Sequence, residues 1–453
     1  MAAAEYDVFV GVDWGSQTHQ VCALDADERR LLAKAFPHSG DGLAALVAEL
    51  SGLAADPARI AVALEMPRGA VVDALLERGF HVFALNPKQL DRFRDRHSVA
   101  GAKDDSRDAF VLGTALRTDR LRFRRAAPDD ARVVELRELS RVDDDLGQEI
   151  LRLSNRLREQ LHRFFPHALA LCPAANDPWF WALLEQAPTP EAAQQLSAKR
   201  ITAILKTHRI RRLTVETVRA ALQRTPLVLA PGTVAAATAH IALLLPRLRL
   251  VHHQRAQLER RLETLLEELA TDPGEQLHRG DVTILRSLPG VGTRVAATVL
   301  AEAARLVAKR DYQTLRAYAG VAPVTRQSGK TRLVAMRYAC NQRLRNALSH
   351  WARTGSQRDE PTRAHYTRLR QAGHDHQRAL RGVADRLLTV LMAMLVSGTT
   401  YDPGEAPRCG GCMKTDLDRR VGSPHTPQRS EQPGEPVPLL DQSRAHRSVP
   451  SRA

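Results

Sequence analysis

Short apolar runs alternate with amphipathic segments along the first quarter of the chain. YDVFVGVD predicts a buried strand, and HQVCALD and RLLAKAF predict two further short strands after turn residues. A helix-like DGLAALVAEL then precedes the strand RIAVALE, the helix GAVVDALLERG and the strand HVFAL. Helical segments follow from about Pro87 onwards. Strands and helices that interleave in this way predict a mixed α/β domain, which we place at residues 1–125.

The order of these elements narrows the fold class. Three strands, then a helix, a strand, a helix, a strand and a helix, is the order of a ribonuclease-H-like domain. Because the rest of the chain has mainly helical periodicity, we predict an α/β plus α protein with the ribonuclease-H-like domain first.

Apolar residues at steps of three and four run through two later segments and predict long helices. The second stripe is shorter than the first and is well separated from it. We predict an antiparallel helical coiled-coil arm over residues 126–280; a helical bundle within one subunit remains the alternative. The stripes are Leu136, Leu139, Val142, Leu146, Ile150, Leu153, Leu157, Leu161 and Phe164, then Leu258, Leu262, Leu265 and Leu269.

The segment LRSLPGVGTRVAATVLAEA changes the pattern near Val282. An apolar helix, a Pro-Gly-Val-Gly turn and a helix rich in small residues predict a helix-hairpin-helix motif. In such a turn the backbone N–H groups near Gly290 and Gly292 would bind a phosphate, although a plain helical turn is the alternative. We assign residues 281–401 to a mostly helical C-terminal domain. Residues 402–453 are rich in proline without apolar periodicity, which predicts a disordered tail.

The charge of the chain indicates its partner. A formal net charge of +15 favours a polyanion, most simply nucleic acid, with a membrane surface as the competing partner. No apolar run of about 18 residues and no signal-peptide pattern is found, so we expect no membrane partner. Five scattered cysteines do not form a disulfide framework, and we expect a cytoplasmic protein.

Four carboxylates are candidates for catalysis. Asp13 and Glu65 each end an apolar strand, and those strands are neighbours in a ribonuclease-H-like sheet. Asp105 and Asp108 lie three apart at a predicted helix start and share one face. Converging acids repel one another, and Mg²⁺, which prefers carboxylate and phosphate oxygens, relieves that repulsion. Two ions roughly 4 Å apart would clamp the oxygens of a phosphoryl transfer, with Mn²⁺ as a substitute.

Each acid also has a plain structural interpretation. An aspartate at a strand end is usually a turn residue, and a pair at a helix start usually caps the helix. Asp104 nearly duplicates Asp105; we prefer Asp105 because of its spacing from Asp108.

Several stretches together resemble the IS110 family of insertion-sequence transposases. They are VGVDWGSQTHQVCALD, ALEMPRG and NPKQLDRFRDRHSVAGAKDDSRDA, with LPGVG and YAGVAPVTRQSGKTR further on, and the resemblance covers roughly residues 6–400. It implies a RuvC-like domain with a DEDD motif, a coiled-coil region and a C-terminal transposase domain that carries a serine. It also implies a site-specific recombinase guided by a structured bridge RNA.

The resemblance assigns roles to individual residues. The four metal-binding acids of the family map onto Asp13, Glu65, Asp105 and Asp108, and its nucleophilic serine maps onto Ser328. In AKDDSRDA an acid stands where family members more often have threonine, so Asp104 and Asp105 compete for one role. The family further implies active sites shared between subunits, hence a dimer or tetramer, acting on DNA at the bacterial nucleoid.

Ser328 lies in a loop-like stretch among Arg326, Lys330 and Arg332. These cations would hold the phosphodiester that the serine attacks and stabilise its developing charge. A loop serine that merely contacts phosphate is the plain alternative. Two other functions remain open: a metal-dependent junction endonuclease that uses water, and a non-catalytic nucleic-acid-binding protein.

Overall fold

A computed structural model describes residues 6–65, 68–86, 90–94, 105–127, 129–274, 277–329 and 331–402. Asp104, Lys330 and the predicted tail beyond Asp402 lie outside the described residues, as do the side chains of Asp105 and Arg332.

A six-stranded mixed sheet forms the first part of the described chain, in the order β3-β2-β1-β4-β5-β6. Strand β4 is parallel to β1 and to β5, and the other pairs are antiparallel. The short β6, which the sequence pattern did not indicate, pairs with the end of β5. The strands are β1 (Val8–Asp13), β2 (Thr18–Leu24), β3 (Arg30–Pro37), β4 (Ile60–Leu64), β5 (His81–Ala84) and β6 (Arg124–Arg125).

Helices cover both faces of this sheet. Helices α1 (Gly40–Ser51) and α2 (Ala70–Glu77) pack against the face that carries Val10 and Val12. Helix α3 (Asp105–Asp119) covers the opposite face. It crosses β1 so closely that a Cβ atom on Gly11 would lie 1.9 Å from the carbonyl oxygen of Ala109. The predicted mixed α/β fold of this part is confirmed.

Two long helices dominate the middle of the chain, α4 (Ala131–Phe164) and α9 (Pro231–Thr271). They run antiparallel, because the start of α4 shares a core with the end of α9, and the end of α4 shares one with the start of α9. Between them lie α5 (Pro178–Gln186), α6 (Pro190–Gln194), α7 (Ala198–Thr207) and α8 (Val215–Leu222).

One member of the predicted apolar stripe does not face the core. Val142 is 45% exposed, whereas Ser140 and Asp143 are buried at the same level of α4. Asp143 binds Arg255 of α9 through two hydrogen bonds of 2.9 Å. The buried contact is therefore polar at this level, which turns Val142 towards solvent.

The C-terminal part is mostly helical, as predicted, with one β-hairpin that the sequence pattern did not indicate. Its core joins α11, α13 and α15 to the start of α4 and the end of α9. The elements are α10 (Asp281–Ser287), α11 (Thr293–Ala308), α12 (Tyr312–Tyr318), β7 (Val324–Ser328), β8 (Thr331–Ala335), α13 (Gln342–Arg358), α14 (Glu360–Gln371) and α15 (His376–Ser397).

Among the described helices, the stretch Gly232–Thr271 of α9 is long and apolar enough to cross a membrane by length and composition. Core helices of water-soluble proteins meet the same criterion. Ile241, Leu244 and Leu248 on this helix are buried against the helices between α4 and α9. The stretch is therefore weak evidence for a membrane span.

Candidate active site

Asp13 and Glu65 lie at the same end of two neighbouring parallel strands. Strand β1 pairs with β4 in a register that sets Gly11 beside Ala63. The paired register stops there: Asp13 is the last residue of β1 and Glu65 directly follows β4, so the two acids lie at the same end of the paired strands. Because side chains alternate along a strand, Asp13 shares the face of Gly11, which is the face that α3 covers.

Asp108 lies on α3, the helix that covers this end of the sheet. It immediately precedes Ala109, whose carbonyl group contacts Gly11, and its side chain is only 2% exposed. Asp105 begins α3 one turn earlier, although its side chain is not described. The fold thus brings Asp13, Glu65 and Asp108 to one end of the sheet and sets the backbone of Asp105 beside them.

Arg94 neutralises part of this acidic cluster. Its Nε and Nη2 atoms donate to the two oxygens of Asp108 at 2.6 and 2.7 Å. Nη2 also lies 3.6 Å from Glu65 Oε1, and Nη1 donates to Asp91. Burial acts to lower the pKa of Arg94, but the bonds and charge of Asp108, together with the charges of Glu65 and Asp91, outweigh burial and raise the pKa. The pattern of residues had not singled out Arg94.

The chemistry of the donors suits a divalent cation. Carboxylate oxygens at the end of a sheet are ligands that hard cations prefer. In the conformation described, however, no group of three or more His, Cys, Asp or Glu side chains is arranged to hold an ion. Arg94 engages both oxygens of Asp108, so metal binding there requires the guanidinium group to yield at least one of them.

Two histidines and a tryptophan lie next to this edge. Gln20 pairs with Asp13 across the sheet, and its neighbour His19 is fully buried, with Nε2 2.9 Å from Nδ1 of His38. Burial, and secondarily His38, lowers the pKa of His19. Trp14 packs beside both rings and stays 43% exposed. No local pattern indicates this cluster, because the two histidines are 19 residues apart.

Ser328 ends a strand rather than lying in a loop. It pairs with Thr331 across a tight turn in which Gly329 has a φ of +54°. Ser328 and Arg326 are both exposed. Within the described chain, β7 packs extensively against β8 alone, and no described carboxylate hydrogen-bonds to Ser328. One chain therefore does not bring this serine into described contact with the acids.

The two glycines of the Pro-Gly-Val-Gly turn, between α10 and α11, have different surroundings. Gly290 has a φ of +85°, and a Cβ atom there would lie 2.5 Å from the backbone nitrogen of Gly355 in α13. The hydroxyl of Thr354 donates to its carbonyl oxygen at 3.0 Å. Gly292, by contrast, immediately precedes α11 and has open space around the position of a Cβ atom. Gly290 serves helix packing, and of the two only Gly292 faces open space.

Carboxylates gathered at one end of a sheet, in a strongly basic chain, define a class of enzymes that process nucleic acids. Comparisons with known proteins narrow that class. The DEDD transposase model of IS110 matches residues 10–166, and the model of the transposase IS116/IS110/IS902 family matches residues 282–367.

Individual relatives agree with these models. The IS117 mini-circle protein of Streptomyces coelicolor, whose name proposes a transposase, is 32% identical over 412 residues, which cover 88% of this chain and 96% of that relative. The 43.6 kDa protein of insertion element IS110 from the same species is 30% identical over 87% of this chain and 95% of its own length. The y4uE protein of Sinorhizobium fredii, whose name also proposes a transposase, is 49% identical over 45% of this chain, a match that spans 57% of that relative.

The chain therefore belongs to the IS110 family of insertion-sequence transposases. Membership implies an enzyme that processes DNA, with DNA as a partner and a dependence on divalent metal ions.

Proposed function

We propose that the protein is a site-specific recombinase that cuts and rejoins DNA through a covalent serine–phosphate intermediate. The observation that carries this proposal is the position of Asp13 and Glu65 at the same end of the paired strands β1 and β4, with the buried Asp108 on the helix that covers them, in a chain of this family. The strand order β3-β2-β1-β4-β5 agrees with a RuvC-like domain, which supports the same chemistry.

In the proposed step, the Ser328 Oγ atom forms a bond to the phosphorus of the scissile phosphodiester. The bond from phosphorus to the leaving nucleotide's oxygen breaks, and the serine proton passes through the site to that oxygen. No bond energy is lost to water, so the reverse reaction with a new strand end rejoins the DNA. Arg326, together with Lys330 and Arg332, would hold the phosphate, because guanidinium groups bind its oxygens in pairs.

Asp13, Glu65, Asp105 and Asp108 would hold the metal, which we propose to be two Mg²⁺ ions with Mn²⁺ as a substitute. When bound, such ions neutralise charge on the phosphate oxygens and lower the pKa of a coordinated hydroxyl group. The carboxylates fix the position of the phosphate relative to the sheet edge. Arg94 keeps Asp108 and Glu65 compensated whenever no cation is bound there.

We propose that the acids of one subunit and the serine of another form each active site, in a dimer or tetramer. The exposed hairpin supports this, since Leu333, Val334 and Tyr338 are 56%, 57% and 75% exposed close to Ser328. Leu243 and Leu250, seven residues apart on α9, are also exposed. Clustered apolar side chains of this kind mark surfaces that pack against another chain.

We further propose a structured bridge RNA as a partner that directs the enzyme to its sites in the bacterial cytoplasm, at the nucleoid. The net charge of +15 suits two nucleic-acid partners at once. RNA that copurifies with the protein and maps to DNA flanking its gene would support this partner; random cellular RNA would contradict it.

The nucleophile is tested by Ser328→Ala with element-end DNA, flanking RNA and Mg²⁺. We expect complete loss of the covalent protein–DNA adduct and of strand exchange, because alanine has no hydroxyl group to attack phosphorus. Gln327→Ala, an exposed neighbour on the same strand, is the matched control and should retain both. Free DNA ends without an adduct in the wild type would instead indicate a junction endonuclease that uses water.

A further inference from the structure

A pocket of about 190 Å³, several times the ~30 Å³ volume of a water molecule, lies beside the carboxylate edge of the sheet. One wall is formed by Ala84 at the end of β5 and by β6. The other walls come from α4, from α11 and from Tyr318 at the end of α12. The pocket is thus built jointly by the sheet and by the helices that precede the Ser328 hairpin.

Arginines dominate the lining of this arginine pocket. They exceed the acids by four formal charges. The arginines are Arg68, Arg124, Arg125, Arg137, Arg141 and Arg305, and the acids are Asp129 and Glu302.

The two acids are already engaged. Asp129 accepts hydrogen bonds from Arg137 and, at 2.9 Å, from Arg305. Glu302 accepts from Arg343 at 3.0 Å and from Asn341 at 2.7 Å. Among the residues that the structure describes, no carboxylate forms an ion pair with Arg68, Arg124 or Arg125. Positive charge therefore remains available to an anion from outside the chain.

The crowding of cations is visible at Arg141. Burial, and secondarily the guanidinium group of Arg68, lowers the pKa of Arg141. Arg124 lies over the ring of Tyr318, with Cζ 5.8 Å from the ring centroid, which restricts its side chain. A bound anion would relieve the repulsion between guanidinium groups that are already held in place.

The sheet sets the separation between this pocket and the candidate active site. Leu64, which precedes Glu65, pairs with Ala84, and Ala84 pairs with Arg124. Neighbouring strands lie about 4.8 Å apart, so β6 is roughly 10 Å from β4. Since one nucleotide advances a strand by about 3.4 Å or more, a separation of this size spans at most a few nucleotides.

We propose that the arginine pocket binds backbone phosphates of the DNA strand within a few nucleotides of the phosphate held by the carboxylates. The inference rests on the proposed function and adds to it a second anchoring point. Guanidinium groups suit this ligand because they bind phosphate oxygens in pairs. A DNA strand bound in this pocket would contact both the sheet and α11. It would therefore fix the position of the acids relative to the C-terminal helices.

The path of the DNA strand is restricted on one side of the arginine pocket. A larger cleft shares Arg68, Arg137 and Arg141 with the pocket, but carboxylates outnumber its arginines. A DNA backbone is repelled there, so we expect the strand to leave by another route. The carboxylates are Asp73, Glu77, Asp129, Glu138 and Asp145.

The test compares two double variants that lose the same charge. Arg68→Gln/Arg124→Gln alters exposed pocket arginines, and Arg200→Gln/Arg219→Gln alters exposed arginines of α7 and α8. Binding of a labelled duplex carrying the element end is measured in EDTA over a range of salt concentrations. Each lost phosphate contact lowers the slope of log K against log salt by about 0.9.

At about 0.9 per lost contact, we expect the slope of log K against log salt to fall by about one to two units in the pocket variant. The control should keep the wild-type slope. A wild-type slope in the pocket variant would overturn the inference. So would a loss confined to a labelled flanking RNA, since the pocket would then bind RNA. Because no cleavage is measured, a missing Ser328 adduct would contradict the proposed function while leaving this result intact.

Discussion

Arg94 holds together a cluster of acids that would otherwise repel one another. Both oxygens of the buried Asp108 accept hydrogen bonds from it. In Arg94→Gln without divalent ions, the Asp108 carboxylate would lose this partner, and breaking such a pair costs about 3–5 kcal/mol. We expect a lower melting temperature in EDTA and a larger rise on addition of Mn²⁺ than in the wild type, since the cation no longer displaces a guanidinium group.

Arg92→Gln is the control for this measurement, because Arg92 is exposed and two residues away. Equal melting temperatures for Arg94→Gln and the wild type in EDTA would show that the pair contributes little to stability. Equal stabilisation by Mn²⁺ would show that Arg94 and the cation do not compete.

For single residues, the sequence pattern predicted the acids of the candidate site but not Arg94, the arginine that pairs with them. Asp13 and Glu65 stand out because each follows an apolar strand, and strand order alone makes them neighbours. Arg94 lies in DRFRDRH, where each arginine has the same local character. Only the tertiary fold selects the one that reaches Asp108.

The two glycines of the turn between α10 and α11 differ in how closely they pack. Alanine at position 290 would have a left-handed backbone, which costs about 1–2 kcal/mol, and would press on α13 at Gly355. We expect Gly290→Ala to lower the free energy of unfolding by about 2 kcal/mol or more, measured by urea denaturation. A smaller effect would mean that α13 moves away at little cost.

Gly292→Ala is the matched control, because its φ of −98° suits any residue and no atom lies near its Cβ position. We expect a change in stability within about 1 kcal/mol. The sequence motif marked both glycines alike, since a Pro-Gly-Val-Gly turn does not show which of its residues faces a neighbouring helix.

The β7–β8 hairpin shows why one element was missed. Its strands are short, and polar residues and arginines occupy exposed positions on β7, so the stretch resembles a loop by composition. The pairing of Val324 with Ala335 and of Ser328 with Thr331 depends on the turn at Gly329. Long helices, by contrast, were predictable because their apolar stripes persist over many turns.

At the scale of the whole molecule, the parts of the candidate active site are distant in sequence. The acids belong to the sheet and Ser328 to a hairpin that packs extensively, within the described chain, on itself alone. The sequence pattern indicates both parts but not a contact between them, because the assembly of subunits that we propose would leave no local pattern. The exposed apolar residues of the hairpin, Leu333 and Val334, support the assembly that we propose.

A mixing experiment tests whether active sites are shared between subunits. Asp13→Asn chains lack a cluster acid but keep Ser328, and Ser328→Ala chains lack the nucleophile but keep the acids. If each site combines two subunits, a mixed dimer has one intact site, and its adduct must form on the Asp13→Asn chain. About half of a randomly mixed population is mixed dimer, so we expect roughly a quarter of the wild-type adduct. A size tag identifies the chain that carries DNA. Sites confined to one subunit would give no adduct in any mixture, since every site would then carry a defect.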